Sequence, residues 1–221
     1  MEESLNKKSL AVLCDFDGTA VPHVIPYLLY KKFGDQVCEE YKQKWEEGEI
    51  TTPQELDGCF SRLHPYRNEM EEYLETIPLS PGFAELVSWC REQGHVFAVL
   101  SDGLDWYIEY ILERYGFSDV PIYANEIYFK QGGVEVESPW YSPKWPMRGT
   151  AKPNIIMRYQ ERGYQVVFIG DGRSDFEVVG YADQLFAKDH LLAYCREKGH
   201  EAVPISKLSD VVEYLSDLSH R

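Results

Sequence analysis

Leu10-Ala11-Val12-Leu13-Cys14-Asp15-Phe16-Asp17-Gly18-Thr19 is the stretch on which the reading of this chain turns. A continuous apolar run, Leu10 to Cys14, stops at two carboxylates one residue apart, followed by a glycine and a hydroxyl. Such a run reads as a strand buried on both faces, as in a parallel sheet. Acids at the C-terminal end of that strand stand where open α/β sheets bind their ligands. A period of two directs Asp15 and Asp17 to the same side and turns Phe16 into the core. Two like charges so close repel, so one holds a proton unless a cation lies between them. The pair therefore suits a magnesium site or a nucleophile with an acid/base partner. An acidic turn built on Asp17-Gly18 fits these residues equally well.

Composition narrows the classes. A chain of 221 residues can bury one substantial core and a small accessory domain. Hydrophobic content of 44% with 27% charged residues belongs to a soluble globular protein. A net charge of −15 argues against nucleic acid and against anionic membranes, both of which attract basic patches. No segment approaches the ~18 consecutive apolar residues of a membrane span, and residues 1–8 are polar with no signal core. The five cysteines are an odd number, widely spaced and without a C-x-x-C pair. Cys14 and Cys90 fall in apolar contexts as small core residues. A reduced protein in the cytoplasm is the expectation.

Beyond Thr19 the pattern changes. Helical spacing marks 24–33, 36–47, 53–63 and 67–77, and no strand is visible in those residues. Thr52-Pro53 with Glu55 reads as a helix start. From Leu79 onward strand and helix alternate, which implies a parallel sheet with crossover helices. His95 to Leu100 is a buried strand ending in Ser101-Asp102-Gly103, with a helix from about Asp105. A hydroxyl at a strand end, followed by the free amides of a helix N-terminus, suits an anion such as phosphate; capping suits it too. Residues 121–124 read as a short strand, and 127–130 with 134–137 as a hairpin around Gln131-Gly132-Gly133. The aromatic and proline-rich loop 138–150 reads either as a lid or as a loop folded back on the core. Lys152 then precedes Pro153 at the start of a helix. Another apolar strand, 164–169, ends in Gly170-Asp171-Gly172-Arg173-Ser174-Asp175, two acids four residues apart in a Gly-rich turn.

Asp15-Phe16-Asp17-Gly18-Thr19 resembles the first motif, D-x-D-x-T, of the haloacid dehalogenase-like phosphohydrolases. Ser101, Lys152 and Gly170-Asp171…Asp175 match the other three motifs in the correct order. The resemblance covers the core, about three quarters of the chain. It implies a Rossmann-like parallel α/β core over 1–20 and 80–221, with an all-helical cap domain inserted at 21–79. By that resemblance Asp15 attacks phosphorus and carries an aspartyl phosphate, while Asp17 acts as acid and then base. Mg²⁺ would be held by Asp15, the backbone carbonyl of Asp17 and Asp171, with Asp175 supporting it through water or orienting Lys152. Thr19, Ser101 and Lys152 would hold the phosphoryl oxygens, the amide of Asp102 or Gly103 adding a donor.

The implied substrate is a small phosphate ester, and the implied assembly a monomer or homodimer. The helical insertion is similar to that of the phosphoserine phosphatases, but 20–26 lacks the acid those enzymes place there for the substrate amine. The hairpin, the Trp-Pro loop and Cys195-Arg196-Glu197 are more similar to the methionine-salvage phosphatases of methylthiopentyl phosphates. The run before Lys152 has no cysteines, so no structural zinc is expected. His23, Arg62, His64 and Arg67 are candidates for the substrate's far end. A phosphomutase would use the same nucleophile. A receiver-type phosphoacceptor module would put its acidic pair and its acceptor on separate strands, unlike the D-x-D pair here.

Overall fold

Side-chain alternation along the first strand builds the two halves of the core. The structure, a computed structural model, describes residues 9–219; the polar residues 1–8 lie outside them. The strands β1 (Leu10–Cys14), β2 (Val96–Leu104), β3 (Ile122–Lys130), β4 (Gly133–Glu137), β5 (Gln165–Gly170), β6 (Gln184–Ala187) and β7 (Val203–Pro204) form one sheet. Their order is β4-β3-β2-β1-β5-β6-β7. All neighbours pair in parallel except β3 and β4. Val12 and Cys14 enter the apolar cluster on one face, Ala11 and Leu13 the cluster on the other. This two-sided burial is why the run is continuously apolar rather than alternating. Chain order reverses direction beside β1, with β2 on one side and β5 on the other, so their C-terminal ends frame the crevice where such sheets bind ligands.

Four helices separate β1 from β2 before the first crossover helix: α1 (Ile25–Phe33), α2 (Gln36–Glu47), α3 (Thr52–Leu63) and α4 (Arg67–Leu74). Local chemistry sets their ends. Asp35 accepts from the Val37 and Cys38 amides to start α2, and Gly48, at φ 76°, ends it in the left-handed conformation. Thr51 and Gln54 close a capping box at α3, with Pro53 in its first turn. The remaining helices, α5 (Phe83–Glu92), α6 (Asp105–Arg114), α7 (Lys152–Glu161), α8 (Asp189–Lys198) and α9 (Ser209–Ser219), cover the sheet. Buried residues of α5, α6 and α9 join the Val12 face, those of α7 and α8 the Leu13 face. Among the described residues no helix is long and apolar enough to cross a membrane. All five cysteines are buried and unpaired.

The structure corrects the sequence reading at two strands. The pieces at 121–124 and 127–130 are one strand, β3, whose first half pairs with β2 and whose second half pairs with β4. The polar residues between them continue the strand because the Asn125 side chain donates to the backbone oxygens of Asp102 (2.7 Å) and Gly103 (3.2 Å). β2 also runs past Leu100 through Ser101-Asp102-Gly103, with a register shift against β3. α6 starts at Asp105, as the sequence leads one to expect, and the Asp105 carboxylate takes the Trp106 amide (2.7 Å). The 138–150 loop folds back on the core: Trp140 packs on Tyr123 (ring centroids 5.1 Å apart) and Trp145 on Tyr181 (5.8 Å).

One apolar cluster continues from the sheet into the four inserted helices, through Phe60 of α3, Trp106 of α6 and Phe129 of β3. Phe60 is fully buried. Phe60→Ala is therefore expected to cost about 3–5 kcal/mol of global stability. Urea unfolding followed by tryptophan fluorescence and by far-ultraviolet dichroism should give coincident, shifted transitions. Separate transitions would show that the inserted helices unfold independently.

Candidate active site

Asp15 leaves β1 almost wholly buried, and its Oδ1 accepts from Lys152 Nζ at 2.7 Å. The chain then closes a wide turn, the amides of Ala20 and Val21 donating to the carbonyls of Asp15 and Phe16. Phe16 is buried, as a period of two requires. Asp17 faces the same cavity as Asp15 but holds different partners. Its Oδ1 accepts from the Ile25 amide at 2.7 Å and its Oδ2 from the Tyr107 hydroxyl at 2.5 Å. Gly18 turns the chain with φ +79°, and any Cβ there would collide with the Asp171 carboxylate. Thr19 Oγ1 donates to Asp171 Oδ1 at 2.7 Å, tying the turn after β1 to the turn after β5.

At the end of β2, Ser101 is buried and its Oγ accepts from the Gly103 amide at 3.0 Å. Gly103 has no room for a side chain because the Tyr107 hydroxyl and the Asp17 carboxylate fill that space. Asp102 does work the sequence did not announce. Its Oδ1 accepts from the amides of Gly149 (3.0 Å) and Thr150 (2.9 Å), and its Oδ2 from Thr52 Oγ1 (2.6 Å). Its side chain thus clasps three segments: β2, the loop before Lys152, and the start of α3. Thr52 is held further by Trp45 Nε1 (3.0 Å) and by its own amide on the Met147 carbonyl (2.9 Å).

Lys152 opens α7 with its ammonium fully buried between Asp15 Oδ1 and Asp175 Oδ1, the latter at 2.5 Å. Asp175 Oδ2 accepts from the amides of Asp171 (3.1 Å) and Gly172 (3.0 Å), so both its oxygens are committed within the protein. The carboxylates of Asp15, Asp171 and Asp175 offer oxygens within 4.8 Å of one another. The Asp17 side chain is not part of that cluster. Of the four acids named as metal ligands from sequence, Asp15 and Asp171 each retain an oxygen without a protein donor, on Oδ2. An all-oxygen carboxylate set with uncommitted oxygens suits a hard divalent cation that keeps several waters.

Electrostatics support the same fit. Burial, then Asp175, pushes the Asp15 carboxyl well above its usual range, with Lys152 opposing. Asp171 is pushed up to about 7, by burial and then by Asp175. Burial alone would lower the Lys152 ammonium, but Asp15 and Asp175 overrule it and raise its pKa. Asp17 is raised to about 6 by burial, although the Tyr107 and Ile25 donors pull it down. Carboxyls gathered this closely around one ammonium await a further positive charge.

A cavity of about 400 Å³ opens over this floor, lined by Asp15, Asp17, Ser101, Asp102, Gly103 and Asp171. The inserted helices supply its other wall through Tyr27, Trp45, Thr52, Glu55 and Leu56. The four basic candidates from sequence are not in that lining. Arg62 pairs with Asp35 and Arg67 with Glu71 (3.0 Å), His64 Nδ1 meets the Ser61 carbonyl (2.8 Å), and His23 is exposed. Tyr107 and Glu55 were missed. Tyr107 looks like one more apolar position of α6, and only the fold carries it to Asp17.

A parallel sheet whose switch point holds a buried carboxylate–ammonium cluster under an open cavity is the framework of an α/β enzyme. The pattern of the haloacid dehalogenase-like hydrolases matches residues 12–179, and the chain belongs to that family. It is 27% identical over 220 residues to a 2-hydroxy-3-keto-5-methylthiopentenyl-1-phosphate phosphatase of Exiguobacterium sibiricum, covering 94% of this chain and 96% of that protein. A phosphatase of the same name from Bacillus mycoides is 29% identical over 217 residues, covering 96% and 97%. Among solved structures, a phospho-aspartyl intermediate analogue of phosphoserine phosphatase superposes with a TM-score of 0.69 at 22% identity, covering 94% of this chain and 99% of the other.

Removing the buried Lys152 ammonium leaves its carboxylates unpaired. Lys152→Met is expected to cost about 3–5 kcal/mol, read as a lowered urea midpoint. An unchanged midpoint would mean that the ammonium does not hold the cluster together.

Proposed function

We propose that this chain is a Mg²⁺-dependent phosphatase that hydrolyses a small phosphate monoester through a phosphoryl group carried on Asp15. The observation that supports it most is the ion triad Asp15–Lys152–Asp175 on the floor of the cavity, with Asp171 beside it and Asp17 held at a separate station. Asp15 and Asp171, with the Asp17 backbone carbonyl, would hold the Mg²⁺, which when bound neutralises charge on the phosphoryl group. Asp175 orients Lys152 and closes the turn that carries Asp171. The inserted helices over residues 21–79 act as a cap that covers the site.

In the first step an Asp15 oxygen forms a bond to phosphorus as the ester oxygen departs. Asp17, raised to about 6, donates the proton that turns the departing alkoxide into an alcohol. In the second step Asp17 takes a proton from the attacking water, and the P–O bond to Asp15 breaks to give inorganic phosphate. Tyr107 and the Ile25 amide hold the Asp17 carboxyl in place for both transfers. Lys152 and Thr19 keep Asp15 and Asp171 in register, and Ser101 with nearby amides holds phosphoryl oxygens.

The relatives' names support 2-hydroxy-3-keto-5-methylthiopentenyl-1-phosphate as the substrate. Phosphoserine fits less well. Its carboxylate would enter a cavity lined by Asp17, Glu46, Glu55 and Asp102, against one arginine, Arg173. The enzyme is expected to work in the cytoplasm as a monomer or homodimer.

Steady hydrolysis of p-nitrophenyl phosphate with Mg²⁺, abolished by EDTA and restored by Mg²⁺, is the first expected result. Asp15→Asn should lower kcat by about 10⁴-fold or more. Asp17→Asn should slow release, so that the intact protein gains the mass of one phosphoryl group after mixing with substrate. Near-normal turnover by Asp15→Asn would remove the nucleophile from this scheme.

A further inference from the structure

The cap wall of the cavity carries a carboxyl for which the chemistry at Asp15 has no use. Glu55 lies on α3, is 3% exposed, and lines the cavity. Its Oε1 is enclosed without a hydrogen-bond partner, and no described group donates to either of its oxygens. Native interiors rarely leave a polar atom so, and one that faces a cavity calls for a functional explanation. The Tyr30 hydroxyl is a second enclosed polar atom without a partner, and among neighbouring titratable groups Glu55 acts on it most strongly. The same cap wall presents the apolar surfaces of Tyr27, Trp45 and Leu56, beside the polar Glu46 and Thr52.

The charge state of Glu55 follows from what faces it. Burial first, then Asp102 of β2, Glu46 of α2 and Asp17, raises its carboxyl to about 8, with Lys42 of α2 opposing. Near neutral pH it is uncharged, with one O–H donor and one carbonyl acceptor. Such a group pairs with a hydroxyl or a ketone. In that state it presents no standing counter-charge to a substrate ammonium, and its acidic neighbours repel a substrate carboxylate.

We propose that Glu55 is the specificity residue of this cavity: it hydrogen-bonds an uncharged hydroxyl or keto oxygen of the substrate, while Tyr27, Trp45 and Leu56 take the apolar remainder of the chain. The enzyme thereby selects phosphate esters of neutral, oxygenated carbon chains over zwitterionic ones. This rests on the phosphatase reading above and assigns the far end of the same site.

The test compares two esters, 2-hydroxy-3-keto-5-methylthiopentenyl-1-phosphate and n-pentyl phosphate, which lacks both oxygens, with Mg²⁺ and wild-type, Glu55→Gln and Glu55→Leu enzymes. The readout is the ratio of kcat/KM for the first ester to that for the second. Glu55→Leu should lower this ratio by about 10- to 100-fold, mainly through KM, while Glu55→Gln, which keeps a donor and an acceptor, retains most of it. In the wild type the ratio should fall as pH rises through about 8, where the carboxyl ionises; in Glu55→Gln it should stay flat. A ratio within about threefold of wild type in Glu55→Leu would overturn the assignment while leaving the phosphatase intact. Turnover of neither ester by the wild type would instead overturn the phosphatase reading and this inference with it. Thermal melts of both variants establish that they are folded; the apolar leucine removes a buried acid and should not lower the midpoint.

Discussion

A single buried ammonium stands among three carboxylates, and the rest of the site is arranged around that imbalance. Lys152 pairs with Asp15 and Asp175 at 2.7 and 2.5 Å, both contacts out of reach of water. Charges taken this far from solvent are tolerated only when paired and hydrogen-bonded. Asp175 meets the condition completely, through Lys152 and two turn amides. Asp15 and Asp171 meet it only in part, since each keeps an oxygen turned toward the others. The uncompensated charge is therefore concentrated where the cavity opens. The fold makes this geometry available cheaply, because β1 and β5 are adjacent and parallel and bring their C-terminal turns together. Gly18 is the steric condition: only a residue without a side chain lets the first turn approach the Asp171 carboxylate so closely.

The inserted helices are joined to this floor by polar contacts as well as by apolar packing. The Ile25 amide, in the first turn of α1, donates to Asp17, and Thr52, the first residue of α3, donates to Asp102. Asp102 in turn holds Gly149 and Thr150, two and three residues ahead of Lys152. Displacing α3 from the core would thus loosen the loop that delivers the ammonium. Displacing α1 would free one oxygen of the Asp17 carboxyl. The same contacts that shape the upper wall of the cavity also hold Asp17 and the loop before Lys152 below it.

How much of this was legible beforehand follows from which interactions are local. The strand ends carrying Asp15 and Asp171 were readable because buried parallel strands are written as apolar runs that stop abruptly; at Ser101 the apolar run stops but β2 continues to Leu104. Helix limits in 25–74 were readable from caps and spacing. Partnerships across the fold were not. Asp17 faces the same cavity as Asp15, yet its partner Tyr107 comes from 90 residues away. Asp102 was expected to contribute its backbone amide, and its side chain is a clasp between segments 50 and 48 residues distant. The basic residues of the insertion were chosen by charge alone, and Arg62 and Arg67 are spent on surface pairs. Glu55 did leave a trace: it shares a helical face with Cys59 and Leu63, and an acid inside an apolar stripe is a conflict that calls for an explanation.

That conflict also bears on how so acidic a chain admits an anionic substrate. The formal charge of −15 counts every carboxyl as ionised. Within the cavity this overstates the repulsion, because burial holds Glu55 largely protonated at neutral pH, while Asp17, raised to about 6, keeps only a minor protonated fraction there. Both are carboxyls whose folded values lie above their unfolded ones. Their stabilising effect is complete below the unfolded value and declines as pH rises through the folded one, so at neutral pH each destabilises the fold by roughly 2–4 kcal/mol. A leucine at position 55 would remove that penalty without disturbing the apolar stripe of α3. The acid's presence where an apolar residue would be more stable is what a site selected for binding, rather than for stability, leaves behind.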